Sequence, residues 1–217
     1  MEKQNIKAVV FDMDGVIFDS EVKVIECWKE IAQKYHIADI ENFCITCMGQ
    51  NREAAKKKFL EIYGADQPYD DYKKEMSDVF HKRYGQGRLP IKPGAEEILK
   101  YLRNKGYQLA IASSTRKALV EEELKNAGLL SYFHKVIGGD MVTKSKPDPE
   151  IFEMACAELS VPVEQAVAIE DSHNGIRAAK AAGMHPIMIP DQMPVTDEMK
   201  ELAVYIYDNL LQLREIL

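Results

Sequence analysis

The sequence predicts an α/β protein: a parallel β-sheet flanked by helices, with a block of helices inserted after the first strand. Three observations predict it. From Ala95 onward, short apolar runs alternate with helical patterns, as in a sheet whose parallel strands are joined by right-handed helical crossovers. Between Ser20 and Tyr84 the patterns are helical and no convincing strand interrupts them. Ahead of that block stands one short apolar run, Lys7 to Phe11, which reads as the first strand.

The elements follow in order. After the strand Lys7–Phe11, Val24, Trp28, Ile31, Ala32 and Tyr35 repeat at intervals of three and four, the period of a helix with one buried face. Lysine-rich helical sequence continues over Asn51–Tyr63 and Tyr69–Tyr84. The stretch "YGQGRLPIKPG", with three glycines and two prolines, then breaks the pattern. A helix is expected over Ala95–Lys105, a strand over Tyr107–Ala112, a helix over Lys117–Ala127 and a strand over Lys135–Ile137. Further on come a helix Glu150–Leu159, a strand Ala166–Ile169, a helix Gly175–Ala182, a strand Pro186–Ile189, a last strand near Ala203–Tyr207 and a closing helix. Three of these helices stop at Gly106, Gly128 and Gly183, where a left-handed C-cap is expected. Residues 1–19 and 85–217 thus form a Rossmann-like core, and residues 20–84 a helical insert.

Composition narrows the partners. The chain has 217 residues, 46% apolar and 29% charged, with a formal net charge of −7. That charge argues against nucleic acid, whose binding rests on a basic stripe, but leaves room for a small phosphorylated ligand in one cationic pocket. No apolar run approaches the ~20 residues that cross a bilayer, and Ala8–Phe11 is too brief for a signal peptide. A cytoplasmic monomer without membrane contact is expected. Cys27, Cys44, Cys47 and Cys156 fit that compartment as reduced thiols. Cys44 and Cys47 are spaced as C-x-x-C, but they lie amid apolar residues in a helical region and read as structural.

In open α/β sheets ligands gather at the carboxyl ends of the strands. There the sequence places Asp12 and Asp14, then Ser113-Ser114-Thr115, then Glu170-Asp171-Ser172. Any one of these acids alone reads equally well as a helix cap or a solvated loop residue. Their coincidence at strand ends does not. Two unit charges ~4 Å apart repel by about 1 kcal/mol in water and about 4 kcal/mol at an effective dielectric near 20. The cluster must therefore take up protons or a cation, and hard oxygen ligands suit Mg²⁺. Asp12, Asp14 and Asp171 are the first choices for that site. A candidate ammonium, Lys146, stands before Pro147 and a helix for which Asp148 is the expected N-cap and Pro149 the first helical residue. Lys144 reads as solvated.

These residues resemble the haloacid dehalogenase superfamily, in its β-phosphoglucomutase-like phosphatase and phosphomutase branch. "DMDGV" at Asp12–Val16 resembles the first motif, Ser113 in "IASST" the second, Lys146 in "KSKPDPEIF" the third, and Glu170-Asp171 in "AIEDSHNGIRAA" the acidic fourth. The helical insert resembles the small cap of that branch. The resemblance implies that Asp12 is the nucleophile and carries an aspartyl-phosphate, and that Asp14 is the general acid and base. It implies Mg²⁺ held by Asp12, the Asp14 carbonyl and Asp171, with Glu170 bound directly or through water. Ser113 and Lys146 would bind the phosphoryl oxygens, and Ser114 and Arg52 would join them in binding the substrate. The dehalogenase branch, which needs neither a metal nor a second acid, fits less well.

Two cap positions depart from the mutase pattern: Val24 stands where a histidine is expected and Met48 where a lysine precedes a glycine that resembles Gly49. Arg52 matches a cap arginine that can grip a second phosphate. Met48, Arg52, Arg116 and Lys117 could all face the substrate. The expectation is a phosphatase acting on small phosphomonoesters, sugar phosphates among them, with a sugar-phosphate mutase as the alternative. A protein that binds a phosphorylated ligand without turnover would lack the nucleophile or the acid, and both are present.

Overall fold

The computed structural model describes residues 6–217. Its strands are β1 (Ala8–Phe11), β2 (Gln108–Ser113), β3 (Lys135–Gly138), β4 (Ala166–Glu170), β5 (His185–Met188) and β6 (Tyr205–Ile206). They form one sheet in the order β3-β2-β1-β4-β5-β6, parallel throughout. The order reverses between β1 and β4, the crevice in which such sheets bind ligands.

Alternation along the strands explains the two layers of helices. Val9, Phe11, Leu109, Ile111, Val167 and Ile169 point to one face, where α5 (Ala95–Asn104), α6 (Lys117–Asn126) and a C-terminal 3₁₀ helix (Leu210–Glu215) cover them. Ala8, Ala110, Ala112, Ala166 and Ala168 point to the other, against α7 (Glu150–Leu159) and α8 (His173–Ala181). Those helices answer with Ala155, Ala178 and Ala179. Small side chains on both sides let the backbones approach closely.

The predicted strands lie where expected, within a residue or two. β2 begins one residue later and runs on to Ser113, because β1 pairs it from Gln108. The start of α7 is shifted by one residue from the cap reading. Pro149, expected as the first helical residue, stands at the N-cap position with φ −72°, and Asp148, expected as the cap, lies one residue before it, its Oδ1 accepting from Glu150 N at 3.2 Å. Three further departures have local causes. α8 begins two residues early because Ser172 caps it, its Oγ accepting from Gly175 N at 3.0 Å. An unforeseen α9 (Asp197–Leu202) is capped by Thr196, which accepts from Met199 N at 3.2 Å. The expected closing helix is instead the tighter 3₁₀ turn, and the last strand shrinks to Tyr205–Ile206.

Four helices occupy the segment between β1 and α5: α1 (Ser20–Tyr35), α2 (Ile40–Cys47), α3 (Arg52–Tyr63) and α4 (Tyr69–Tyr84). They enclose a cluster of their own built on Trp28, Phe43, Phe59, Tyr69, Tyr72 and Met76. Phe43 meets Phe59 edge-on at 5.2 Å, an arrangement aromatic quadrupoles favour. The two connectors to the core pair with each other: Asp19 N donates to Pro90 O at 2.9 Å and Lys92 N to Ile17 O at 2.8 Å.

Candidate active site

Asp12 is the first residue past β1, and its N–H extends the ladder to Ile169 O at 2.9 Å. Three residues on, Gly15 turns the chain at φ +80°, where a Cβ would lie 2.2 Å from Asp171 Oδ2. Only glycine lets the Asp14–Gly15 backbone come this close to that carboxylate. Asp14 is held by three hydroxyls. Ser20 Oγ donates to its Oδ1 at 2.7 Å, and Thr115 Oγ1 and Ser113 Oγ donate to its Oδ2 at 3.0 and 3.4 Å.

Lys146 reaches the rim from the segment before α7 and is fully buried. Its Nζ donates to Asp12 Oδ1 at 2.5 Å, Glu170 Oε1 at 2.6 Å and Ala112 O at 2.9 Å. Ser172 occupies the other Glu170 oxygen through its N–H and Oγ, at 3.2 and 3.0 Å. Glu170 therefore faces Lys146 and Ser172. Burial would lower the Lys146 ammonium, but the Asp12 and Glu170 carboxylates outweigh it and hold its pKa above the ordinary value. Burial raises Asp12 to about 8 against the pull of Lys146, with Glu170 and Asp14 adding to the rise. Asp171 is raised well above the ordinary value by burial, then by Glu170 and Asp12.

The residues present fit a divalent cation. Among the described residues no three acidic, histidine or cysteine side chains cage a metal by themselves. The implied set takes Asp12, Asp171 and the Asp14 carbonyl; Glu170, implied as a ligand directly or through water, has both its oxygens engaged by Lys146 and Ser172. Asp171 Oδ2 is buried without a hydrogen-bond partner, a costly state that a cation would relieve. Lys146 pairs with Asp12 and Glu170, and Asp14 and Asp171 have no ion-pair partner among the described residues.

Asp12, Asp14 and Asp171 open into a cavity of about 730 Å³ between the rim and the four helices. Val24, Met48, Arg52, Ser114 and Arg116 line it too. Ser113 is buried beneath Asp14, and its Oγ also accepts from Thr115 N at 3.1 Å. Ser114 Oγ donates to Gly49 O at 2.9 Å, so this hydroxyl touches the insert. Arg52 is paired with Asp70 at 2.9 Å, and Lys117 pairs with Glu121 at 3.7 Å. Cys44 and Cys47 are free thiols on α2, raised by burial to about 12 and about 11, which supports the structural reading.

Sequence reasoning missed Ser20, Glu21 and Lys73. Ser20 and Glu21 follow the D-x-D pair within "FDSE", and a hydroxyl and an acid so near a nucleophile were a usable cue. Lys73 sits in a lysine-rich helix, where nothing in the sequence separates it from its solvated neighbours.

Comparison with known proteins places this geometry. A family model described as haloacid dehalogenase-like hydrolase matches residues 9–189. A phosphorylated carbohydrates phosphatase of Thermotoga maritima is 33% identical over 182 residues, 84% of either chain. The β-phosphoglucomutase of Bacillus subtilis is 31% identical over 198 residues, covering 88% of this chain and 86% of that one. The crystal structure of CbbY from Rhodobacter sphaeroides in complex with phosphate superposes with a TM-score of 0.77 at 27% identity, over 94% of both chains.

Proposed function

The chain belongs to the haloacid dehalogenase-like hydrolase family, among its phosphatases and phosphomutases, and from that premise we propose that it is a Mg²⁺-dependent phosphatase of small phosphomonoesters, sugar phosphates foremost. One observation carries the reading: Asp12 stands at a strand tip with the Lys146 ammonium on Oδ1, and Asp14, two residues on, is fixed by three hydroxyls.

In the first step an Asp12 oxygen bonds to phosphorus as the ester P–O bond breaks, and Asp14 delivers its proton to the leaving alcohol oxygen. In the second, Asp14 takes a proton from water, the water oxygen bonds to phosphorus and the Asp12 P–O bond breaks, returning the carboxylate. Lys146 screens Asp12, so that an anion can approach a phosphate dianion. Mg²⁺ held by Asp12, Asp171 and the Asp14 carbonyl would neutralise further charge on the phosphoryl oxygens.

Hydrolysis is favoured over isomerisation by the cavity wall. A mutase must hold a bisphosphate and keep water from the phospho-enzyme. Here Val24 and Met48 offer no polar grip, and Arg52 is already paired with Asp70. The test offers β-glucose 1-phosphate with a bisphosphate primer and Mg²⁺. Free phosphate in excess is the expected result; the 6-phosphate isomer in excess would make the protein a mutase.

A further inference from the structure

Two of the hydroxyls that hold Asp14 stand on a loop that is itself gripped from behind. β2 and β3 pair in parallel with Ser113 opposite Gly138. The chain leaving β3 therefore runs beside the loop that carries Ser113, Ser114 and Thr115. Gly139 N donates to Thr115 O at 2.8 Å, and Asp140 Oδ1 accepts from Lys117 N at 2.8 Å. The approach leaves no room for side chains. A Cβ at Gly138 would lie 2.2 Å from Lys117 N, and one at Gly139 2.2 Å from Ser114 O, so glycine is what lets the two backbones meet.

Asp140 also supplies what α6 does not carry. Arg116, at the N-cap of α6, has no acceptor for the first N–H groups of the helix, and its first turn reads Lys117-Ala118-Leu119-Val120, without an acid. Those N–H groups are orphans, and the positive end of the helix dipole favours a carboxylate there. Asp140 provides it from the neighbouring loop. Thr115 lies between the two anchors. Gly139 holds its carbonyl, Asp140 holds the chain two residues on, and its Oγ1 donates to Asp14 Oδ2 at 3.0 Å. Thr115 N donates in turn to Ser113 Oγ at 3.1 Å, the second hydroxyl on that oxygen. Gly139 and Asp140 stand behind this loop, away from the cavity wall.

We propose that Gly139 and Asp140 are positioning residues for the general acid: by fixing Thr115 from behind, they aim the Asp14 carboxyl at the leaving-group oxygen. This rests on the phosphatase reading. The consequence is a defect confined to esters whose leaving group must be protonated. A sugar alkoxide or a simple phenoxide departs with a proton from Asp14, whereas p-nitrophenolate is stable enough to depart as the anion. General damage to the fold would slow both kinds of ester alike.

The experiment measures kcat/KM for phenyl phosphate, p-nitrophenyl phosphate and glucose 6-phosphate with the Mg²⁺-loaded full chain and its variants. A well-placed general acid contributes about 10²–10⁴-fold, and Asp140→Ala should forfeit part of it, lowering the phenyl-to-p-nitrophenyl ratio several-fold. Asp140→Asn keeps an acceptor for Lys117 N and should restore most of that ratio. Gly139→Ala forces the two loops apart by about an ångström and should lower the ratio by about tenfold or more. Thr115→Val should lower it as well, and adding Asp140→Ala to Thr115→Val should change it no further, because both act on one hydroxyl. Glucose 6-phosphate should follow phenyl phosphate throughout. Equal losses on both aryl esters, or an Asp140→Ala effect undiminished in the Thr115→Val background, overturn the proposal and leave the phosphatase reading standing. If none of the three esters releases phosphate from the wild type, both fail together. Should Gly139→Ala not fold, Asp140→Ala, at an exposed position, carries the same ratio.

Discussion

Lys146 is buried with two carboxylates and a carbonyl around its ammonium, and removing one partner of such a group leaves the rest uncompensated. Lys146→Met should cost about 3–5 kcal/mol of stability, read as an earlier denaturant midpoint, and should abolish turnover. A variant as stable as the wild type would mean that the three contacts carry no net charge interaction. Asp12→Asn keeps the shape of the site and should fold normally but release no phosphate; retained activity would move the nucleophile elsewhere. Glu123 on α6 offers a test by pH. Burial raises its carboxyl, Glu122 and Asp14 adding to the rise and His81 opposing it, and Oε2 is buried without a partner. The folded state therefore binds this proton more tightly than the unfolded chain. Its stability contribution is lost as pH climbs from the unfolded carboxyl value, about 4.3, through the raised folded one. Glu123→Gln should accordingly raise the melting temperature at neutral pH, with the gain fading toward about pH 4. A gain equal at both ends would show that the charge is not the cause. At this scale the sequence was most legible where residue type and strand-end position coincided, as at Asp12, Asp14 and Asp171. It was silent on Lys73, whose place on the cavity wall depends on which helix α4 packs against.

The loop between α2 and α3 ties the inserted helices to the core. Asn174 Nδ2 donates to Met48 O at 3.1 Å and Ser114 Oγ to Gly49 O at 2.9 Å, while a Cβ on Gly49 would lie 2.7 Å from Ser172 Oγ. Both acceptors are backbone carbonyls, so the latch depends on the shape of the loop and on few of its side chains. Loss of one such hydrogen bond costs about 1 kcal/mol. Asn174→Ala should therefore speed amide exchange over residues 48–50 and lower kcat/KM by several-fold; unchanged exchange would place the closing contacts elsewhere. The elements themselves were mostly legible, because their signals are local. Glycine stops ended α5, α6 and α8, with Gly106, Gly128 and Gly183 all at positive φ, and alternation marked the strands. The short α9 escaped because its one cue, Thr196 before an acidic turn, lies in a stretch without helical periodicity. The closing helix was misjudged because its apolar residues, Leu210 and Leu213, recur at three, which serves a 3₁₀ turn as well as an α-helix.

Across the whole molecule, the sheet and the inserted helices meet over a rim whose acids are unbalanced without a cation. EDTA should silence phosphate release and Mg²⁺ should restore it. A ligand that binds only the folded state at 100 times its dissociation constant adds about 2.7 kcal/mol, which in a chain of this size raises the melting temperature by roughly 5–10 °C. Mg²⁺ should produce that shift in the wild type and lose most of it in Asp171→Asn, independently of any turnover; an equal shift in both would remove Asp171 from the metal set. The general architecture was readable because strand-end chemistry and topology constrain each other, whereas the closeness of insert and rim emerges only from the packed structure. The proposed chemistry depends on a phosphoryl group resting on one carboxylate. The direct measurement is to quench the Mg²⁺-loaded enzyme during turnover of a sugar phosphate, reduce it with borohydride, which converts an acyl phosphate to an alcohol, and map the product by peptide mass. Homoserine at position 12 is the predicted result. Continued phosphate release with Asp12 never modified, or the label on another carboxylate, would contradict it.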